Sequence, residues 1–220
     1  MANQMVMAFL GRLWEFLTNL WWLPLALLFL AFLKSRWFKG WFGEKAIQSR
    51  LSGLDKKVYR PFHDLIVPSH NTTTQIDHIY VSCFGIFVVE TKNYSGWIFG
   101  SEKQARWTQT IYRKKHSFQN PLRQNYAHIK ALASLLELPE SVFHSVVVFL
   151  GGCEFKTQMP ENVCYIGQAE RYIRNIQTVM LDRTEVDRIC TILQNKKYAA
   201  NNATRVAHKN NLRQRHQSYN

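Results

Sequence analysis

The chain has 220 residues, of which 46% are apolar, and its formal net charge at pH 7 is +13. The apolar content excludes a disordered chain, and the length suits one domain of ordinary size with appendages. The positive charge favours a polyanionic partner, which is either nucleic acid or a surface of anionic lipid headgroups.

The N-terminal segment predicts a membrane anchor. The 18 residues from Phe16 to Leu33 carry no charge, and at ~1.5 Å per residue they span about 27 Å, close to a ~30 Å hydrocarbon core. We therefore expect a single-pass protein of the bacterial inner membrane, with the lipid bilayer as a partner and a cytoplasmic C-terminal domain. A cleaved signal peptide and a buried helix are the alternatives. The orientation rests on the basic residues that follow the segment: Lys34, Arg36, Lys39 and Lys45.

Helical and extended patterns alternate in the rest of the chain. Apolar residues at helical spacing predict helices, and short apolar runs bounded by turn residues predict strands. In chain order we predict a helix at 44–54, an extended segment at 57–67, a turn at 70–74, strands at 75–82 and 86–91, a further hairpin at 97–112, a helix at 121–136, a strand at 146–150, and helices near 169–176 and 184–196.

This order of elements predicts an α/β fold with one central mixed sheet flanked by helices and preceded by one transmembrane helix. We expect three parts: the anchor and a basic juxtamembrane segment at 1–39, the domain at 40–197, and a basic, disordered tail at 198–220. Only a short link at 83–85 separates two of the strands, so they should form an antiparallel hairpin that brings Asp77 opposite Glu90.

Asp77, Glu90 and Lys92 are the residues of this hairpin that suggest chemistry. Glu90 and Lys92 are two apart on one strand, so they point to the same side. Carboxylate oxygens suit Mg²⁺, and a neighbouring lysine can orient or help to deprotonate an attacking water. A structural ion-pair network is the alternative, and the spacing alone does not exclude it.

Further motifs occur in a fixed order around this pair of carboxylates. Together they resemble the nuclease-related domain, NERD, a branch of the PD-(D/E)XK nuclease superfamily, over about residues 40–154. The superfamily's proline before the aspartate is absent, since Ile76 stands there. The motifs are Gly43-Glu44, Gln75-Ile76-Asp77-His78-Ile79, Gly85 to Asn93, Gly96, Trp107-Thr108-Gln109, and Asn120-Pro121 with Gln124.

The resemblance implies a restriction-endonuclease-like core and a role for each matching residue. Asp77 and Glu90 would bind Mg²⁺, or alternatively Mn²⁺, with the main-chain carbonyl of Thr91, and Lys92 would position or activate the attacking water. Glu44 matches a helix-borne acid that binds metal or orients the groups around the water. Gln109 and Gln124 match polar positions that contact phosphate or support the metal ligands.

Other charged and metal-binding residue types lie outside these motifs. Arg113, Lys114 and Lys115 follow aromatic residues and are expected to bind a phosphate backbone, with a solvated hairpin tip as the alternative. The tail residues Arg205, Lys209, Arg213 and Arg215 invite the same two interpretations. The histidines show no ligand spacing, so we expect surface or supporting roles for them, and the four cysteines form no CxxC pair.

The sequence as a whole predicts a membrane-anchored, metal-dependent nuclease that hydrolyses phosphodiester bonds of DNA, with RNA as the alternative substrate. A catalytically inactive module that binds nucleic acid or scaffolds a membrane is the rival from another class. The acids and the lysine favour the enzyme, because a scaffold has no physical need for charges that converge on one point.

Overall fold

The structure, a computed structural model, describes residues 7, 11, 12, 14, 15, 19, 20, 22–69 and 72–199. The chain divides into two units, Met1–Phe42 and Gly43–Asn220. The predicted basic tail lies beyond the described residues from Ala200 onward, and this includes Arg205, Lys209, Arg213 and Arg215.

The elements follow in chain order. The helices are α1 Leu23–Lys34, α2 Arg36–Leu51, α3 Pro121–Leu136, α4 Ile166–Asn175 and α5 Arg183–Ala199, with one 3₁₀ turn at Glu140–Val142. The strands are β1 Arg60–Ser69, β2 Thr72–Ser82, β3 Gly85–Asn93, β4 Gly96–Phe99, β5 Arg106–Ile111, β6 Lys114–Gln119, β7 Phe143–Leu150, β8 Cys153–Phe155 and β9 Val163–Tyr165.

The predicted transmembrane anchor is wrong. Helix α1 has 12 residues and ends at Lys34, and the next residue, Ser35, has an extended backbone before α2 begins at Arg36. Twelve residues at ~1.5 Å each reach only about 18 Å, well short of a ~30 Å hydrocarbon core. No helix within the described part of the chain is long and apolar enough to cross a membrane. The inner-membrane location, the orientation and the lipid partner all depended on that span, so they are withdrawn with it.

The first sheet contains five strands in the spatial order β1-β2-β3-β7-β9. Strands β1, β2 and β3 pair antiparallel, whereas β7 runs parallel to β3 and β9 parallel to β7. The sheet is therefore mixed, as predicted, and β2 with β3 confirms the predicted antiparallel hairpin. Strand β3 is central and its first six residues are all buried, which holds its C-terminal end in a fixed place.

A second sheet of four strands, in the order β6-β5-β4-β8, corrects the prediction of a single sheet. The chain leaves the first sheet after β3 and turns at Gly96, which has a φ of +78° and where a Cβ atom would collide with the carbonyl of Thr110. Strand β6 was not predicted because its sequence, Lys-Lys-His-Ser-Phe-Gln, is polar and lacks an apolar alternation. Strand β8 has only three residues.

Helices cover both faces of the first sheet. Leu132 of α3 and Ile189 of α5 are fully buried in the cluster on one face, and Ile47 of α2 and Ile173 of α4 are fully buried in the cluster on the other. A third cluster joins the two sheets and contains Ile98, Trp107, Val147, Phe149 and Val163. These clusters position α3 along β3, where the polar residues of interest lie.

Asn120 is the N-cap residue of α3 and fixes where the helix starts. The side chain is fully buried, and its Oδ1 accepts a hydrogen bond from the Leu122 amide at 2.9 Å. Its Nδ2 donates to the carbonyls of Ser101, Glu102 and Gln104 at 3.3, 3.1 and 2.7 Å. One side chain therefore caps the helix and closes the loop before β5.

We expect Asn120→Ala to lower the free energy of unfolding by about 3 kcal/mol, because it removes a helix cap and the hydrogen bonds of a buried side chain to three loop carbonyls. Urea denaturation followed by circular dichroism measures this change. Asn120→Asp keeps the cap acceptor but cannot donate, so it should also destabilise. The exposed Asn175→Ala is the control, with an expected change below ~0.5 kcal/mol. A stability of Asn120→Ala equal to that of the control would contradict the assignment.

Candidate active site

The hairpin of β2 and β3 brings two carboxylates together. The last cross-strand pair is His78 with Val89, and one step further along the same register Asp77 lies opposite Glu90. Asp77 Oδ2 accepts a hydrogen bond from the Thr91 amide at 3.0 Å. The Asp77 carboxylate therefore replaces the next main-chain hydrogen bond between β2 and β3, which keeps it beside β3.

Glu90 is the buried centre of the site. Its side chain is 3% exposed, its Oε1 accepts a hydrogen bond from Lys92 Nζ at 2.6 Å, and its Oε2 lies 3.1 Å from His128 Nε2. Lys92 Nζ also donates to Gln124 Oε1 at 2.9 Å. Gln124 and His128 are four residues apart on α3 and so lie one turn apart on one face. The helix thus supplies one partner to each charged residue of β3.

His128 is a site residue for which the sequence predicted only a surface or supporting role. An ionised Glu90 can only accept hydrogen bonds, so Nε2 of His128 carries the proton. Nδ1 of His128 lies 2.9 Å from Thr74 Oγ1 on β2, which completes a chain from β2 through α3 to β3. The spacing of four from Gln124 on the same helix was the signal that could have found this residue.

The N-terminal part of α3 is anchored directly to the sheet. Asn125 is fully buried, and its Nδ2 donates to the Val88 carbonyl at 2.8 Å and to Ser145 Oγ at 2.9 Å. This side chain ties α3 to both β3 and β7 between the two residues that contact Lys92 and Glu90. The distances within the site therefore rest on a buried hydrogen bond as well as on apolar packing.

Two further acids lie near the carboxylate pair. Glu44 on α2 is half-buried, and burial together with the charge of Asp64 raises the pKa of Glu44. Asp64 lies between the cross-strand pairs His63–His78 and Leu65–Ile76, so the register sets it opposite Asp77. Its φ of +59° is left-handed, and Gln75 Nε2 donates to its Oδ1 at 2.7 Å. The sequence did not identify Asp64, because the register of β1 cannot be read locally.

The pKa values of the two central carboxyl groups, Asp77 and Glu90, shift in opposite directions. Burial and the charge of Glu90 raise the pKa of Asp77 to about 7, and the charge of Glu44 adds to this. Burial alone would raise the pKa of Glu90, but the hydrogen bond from His128 and the charge of Lys92 together lower it. Glu90 is therefore firmly ionised, whereas at Asp77 the Thr91 amide and the charge of Lys92 only partly offset the rise in pKa.

The donor set fits Mg²⁺ better than a metal that needs a complete protein cage. Among the described residues there is no group of three or more His, Cys, Asp or Glu side chains placed to hold a metal ion. Mg²⁺ keeps several of its waters and usually binds through one or two carboxylates. Asp77, with its raised pKa, is the carboxyl group that a divalent cation would stabilise most.

The remaining predicted site residues lie on the second sheet. Gln109 is buried on β5, and its Nε2 donates to the Ser95 carbonyl at 2.8 Å, which braces the link between β3 and β4. Arg113 lies in the turn after β5, and Lys114 and Lys115 begin β6, all with exposed side chains. These residues therefore stand on different elements from Asp77 and Glu90, whereas Gln124 directly contacts Lys92.

The fold and the site define an α/β domain with mixed sheets that is compatible with a nuclease-like core. Residues 39–150 match the nuclease-related domain, about half of the chain, so the chain belongs to the nuclease-related domain family. This confirms the resemblance of the sequence motifs. An uncharacterized protein of Bacillus anthracis is 45% identical over 157 residues, which cover 69% of this chain and 74% of that protein. No solved structure matches the chain.

The raised pKa of Asp77 makes a prediction about stability and pH. The folded state holds this proton up to about pH 7, whereas the unfolded state releases it near pH ~4. The stability of the metal-free protein should therefore fall as pH rises from ~4 to ~7. Asp77→Asn removes this loss, and it should be more stable than the wild type at pH 8 by roughly 2 kcal/mol, with a smaller difference at pH 5.

Urea unfolding in EDTA at pH 5 and pH 8 measures both differences. Asp55→Asn is the matched control, because Asp55 is exposed and its Oδ1 accepts a hydrogen bond from the nearby Lys57 amide. If Asp77→Asn and the wild type lost stability in parallel between pH 5 and pH 8, the raised pKa of Asp77 would be refuted.

Proposed function

We propose that this chain is a metal-dependent nuclease that hydrolyses phosphodiester bonds of DNA, with RNA as the alternative substrate, and that residues 40–197 form its nuclease domain. The observation that carries the proposal is the contact of Lys92 with Glu90 beside an Asp77 whose pKa is about 7. Membership of the nuclease-related domain family supports the class of reaction.

Asp77, Glu90 and the Thr91 carbonyl are the proposed ligands of Mg²⁺, with Mn²⁺ as the alternative ion. The Thr91 amide points toward Asp77, and in an extended strand the carbonyl of the same residue faces the same side. Bound there, the ion would polarise a phosphoryl oxygen and lower the pKa of a bound water. Asp77 must give up its proton for this, so binding should strengthen as pH rises through about 7.

Lys92 is the proposed group that orients the attacking water. An ammonium group has three hydrogens, and within the described contacts Glu90 and Gln124 accept two of them. The third is left for a water or a phosphoryl oxygen. Because two acceptors fix the ammonium in position, little freedom has to be lost when the substrate binds. Gln124 thus acts through Lys92, in addition to any contact of its own with phosphate.

His128 and Glu44 complete the proposed set. His128 holds the second oxygen of Glu90 at 3.1 Å, which fixes the rotation of that carboxylate. Burial and the charge of Asp64 raise the pKa of Glu44, and Glu44 is proposed to bind the metal or to orient the groups around the attacking water. Arg113, Lys114 and Lys115 are proposed to contact the phosphate backbone, and Gln109 supports the link that joins the two sheets.

One observation favours the rival function, an inactive nucleic-acid-binding module. Both carboxylate oxygens of Glu90 already have partners, Lys92 and His128. An internally satisfied network of this kind would also be stable without a metal. The two functions differ in a single measurable property, which is cleavage that depends on a divalent ion.

Cleavage should require both the metal and Lys92. The full chain is incubated with plasmid and with single-stranded DNA and RNA, in Mg²⁺, Mn²⁺ or EDTA. We expect cleavage with either ion and none in EDTA, and we expect Lys92→Met to reduce the rate about 100-fold, because misplacing the attacking water costs on the order of 10²-fold. Gel electrophoresis of the products over time measures the rates.

Lys130→Met is the matched control for this substitution. Lys130 lies on α3 like Gln124, but it is half-exposed and pairs with Glu140, so its loss should leave the cleavage rate within ~2-fold. Circular dichroism verifies that each variant is folded. Cleavage that persists in EDTA, or that Lys92→Met leaves unchanged, would sink the proposal and favour the inactive module.

A further inference from the structure

The second sheet has an open face that the candidate active site does not use. Ile98, Trp107 and Gln109 point toward the first sheet and are buried. The residues that alternate with them along each strand point the other way, and all of them are exposed or half-buried. We name this surface the outer face; it includes Trp97, Arg106, Thr110, Lys115, Ser117 and Glu154.

Trp97 lies in the middle of the outer face and is 48% exposed. The register pairs it with Glu154 on β8 and with Thr110 on β5, and Thr110 in turn pairs with Lys115 on β6. With strands ~4.8 Å apart, Lys115 starts about 10 Å from the tryptophan backbone. A large flat aromatic side chain therefore stands in water with a cation two strands away.

A second cation lies directly on this tryptophan. Lys156 Nζ is 4.8 Å from the centroid of the Trp97 ring, and Glu154 Oε1 accepts its hydrogen bond at 2.6 Å. The carboxylate holds the lysine at one side of the indole, so part of the ring surface remains open. An exposed cation–π contact stabilises by only about 0.5–1 kcal/mol, which is little reason to keep a tryptophan in solvent.

The rest of the outer face is basic and partly ordered. Arg106 is held by its neighbour on β6, since its Nε donates to Ser117 Oγ at 2.8 Å and its guanidinium also donates to the Ser117 carbonyl at 3.1 Å. With Lys115 and Lys156 this makes three cations against the one carboxylate of Glu154. Aromatic surface between fixed positive charges is the combination that binds single strands of nucleic acid.

The outer face is also close to the candidate active site. Trp97 follows Lys92 by five residues, which extended chain limits to roughly 17 Å. The link between them is braced, because Gln109 Nε2 donates to the Ser95 carbonyl at 2.8 Å. A strand that lies across Trp97 can therefore reach the carboxylates within a few nucleotides.

We propose that the outer face binds a single strand of nucleic acid, with one base stacked on Trp97 and the flanking phosphates contacted by Lys115 and Arg106. The inference rests on the proposed function for the class of ligand, and it adds which form of that ligand the protein selects. Bases within a duplex are stacked on each other and do not present a face to a side chain, so Trp97 contributes to binding single strands only.

The test is a binding measurement without cleavage. The full chain in EDTA is titrated into fluorescein-labelled 12-nucleotide thymidine strands and into a mixed-sequence 12-base-pair duplex, and fluorescence anisotropy gives the dissociation constants. Stacking on one aromatic ring contributes about 1–3 kcal/mol. We therefore expect Trp97→Ala to weaken single-strand binding about tenfold or more and to leave duplex binding unchanged, whereas Trp97→Phe keeps most of the affinity.

Tyr126→Ala is the matched control variant. Tyr126 is 52% exposed on α3 and has Lys130 Nζ at 5.5 Å from its ring centroid, so it is a similar aromatic and cation pair on another surface. Its loss should not change single-strand binding. Lys115→Gln should weaken binding of single strands and reduce the slope of log affinity against log salt by about 0.7, with Lys130→Gln as its control.

The result that would overturn the inference is single-strand binding by Trp97→Ala at the wild-type affinity, or an equal loss of affinity for single strands and duplex. This binding result does not depend on whether the protein cleaves nucleic acid. If cleavage requires Lys92 but Trp97→Ala binds single strands with the wild-type affinity, then the binding role of the outer face is refuted and the nuclease proposal stands. Trp97-dependent binding of single strands without cleavage by the wild type refutes the nuclease alone and keeps the outer face.

Discussion

The buried carboxylate of Glu90 is the interaction on which the site depends. A charge that is 3% exposed is tolerable only with close partners, and Glu90 has two, Lys92 from its own strand and His128 from α3. His128 reaches on to Thr74, so the contact joins β2, β3 and α3. The apolar clusters hold these elements together, and this charge sets their alignment at one point.

The positively charged and imidazole partners in the site contact Glu90 and not Asp77. The lysine and the histidine both contact Glu90, whereas the described partner of Asp77 is one neutral amide, from Thr91. Burial and the neighbouring acids then raise the pKa of Asp77 to about 7. The same arrangement that stabilises the charge of Glu90 thus leaves Asp77 as the carboxyl group to which the proposed divalent cation would add most stability. In the proposed nuclease, this difference in pKa between Asp77 and Glu90 would favour metal binding at Asp77.

Local sequence patterns were sufficient to predict the hairpin and the long helix. The short link at 83–85 predicted β2 and β3, and the apolar spacing at 121–136 predicted α3, because turn chemistry and helical periodicity act over neighbouring residues. The opposition of Asp77 to Glu90 followed from the same hairpin. The order of the motifs also identified the family, which covers residues 39–150.

Features that depend on contacts distant in sequence could not be predicted. His128 joins the site only because α3 packs along β3, and Asp64 does so only through the register of β1. Strand β6 forms by pairing with β5, which its polar sequence does not signal. The membrane prediction failed because an uncharged segment shows only that the composition is apolar. It does not show whether a single helix is long enough to include the whole segment.

Anomalous X-ray diffraction from crystals of the full chain grown with Mn²⁺ tests the metal site most directly. We expect a manganese peak at coordinating distance, about 2 Å, from oxygens of both Asp77 and Glu90, and we expect it to be absent in crystals of Asp77→Asn. Manganese bound at other residues, or no bound manganese in a protein that cleaves DNA in the same solution, would contradict this site.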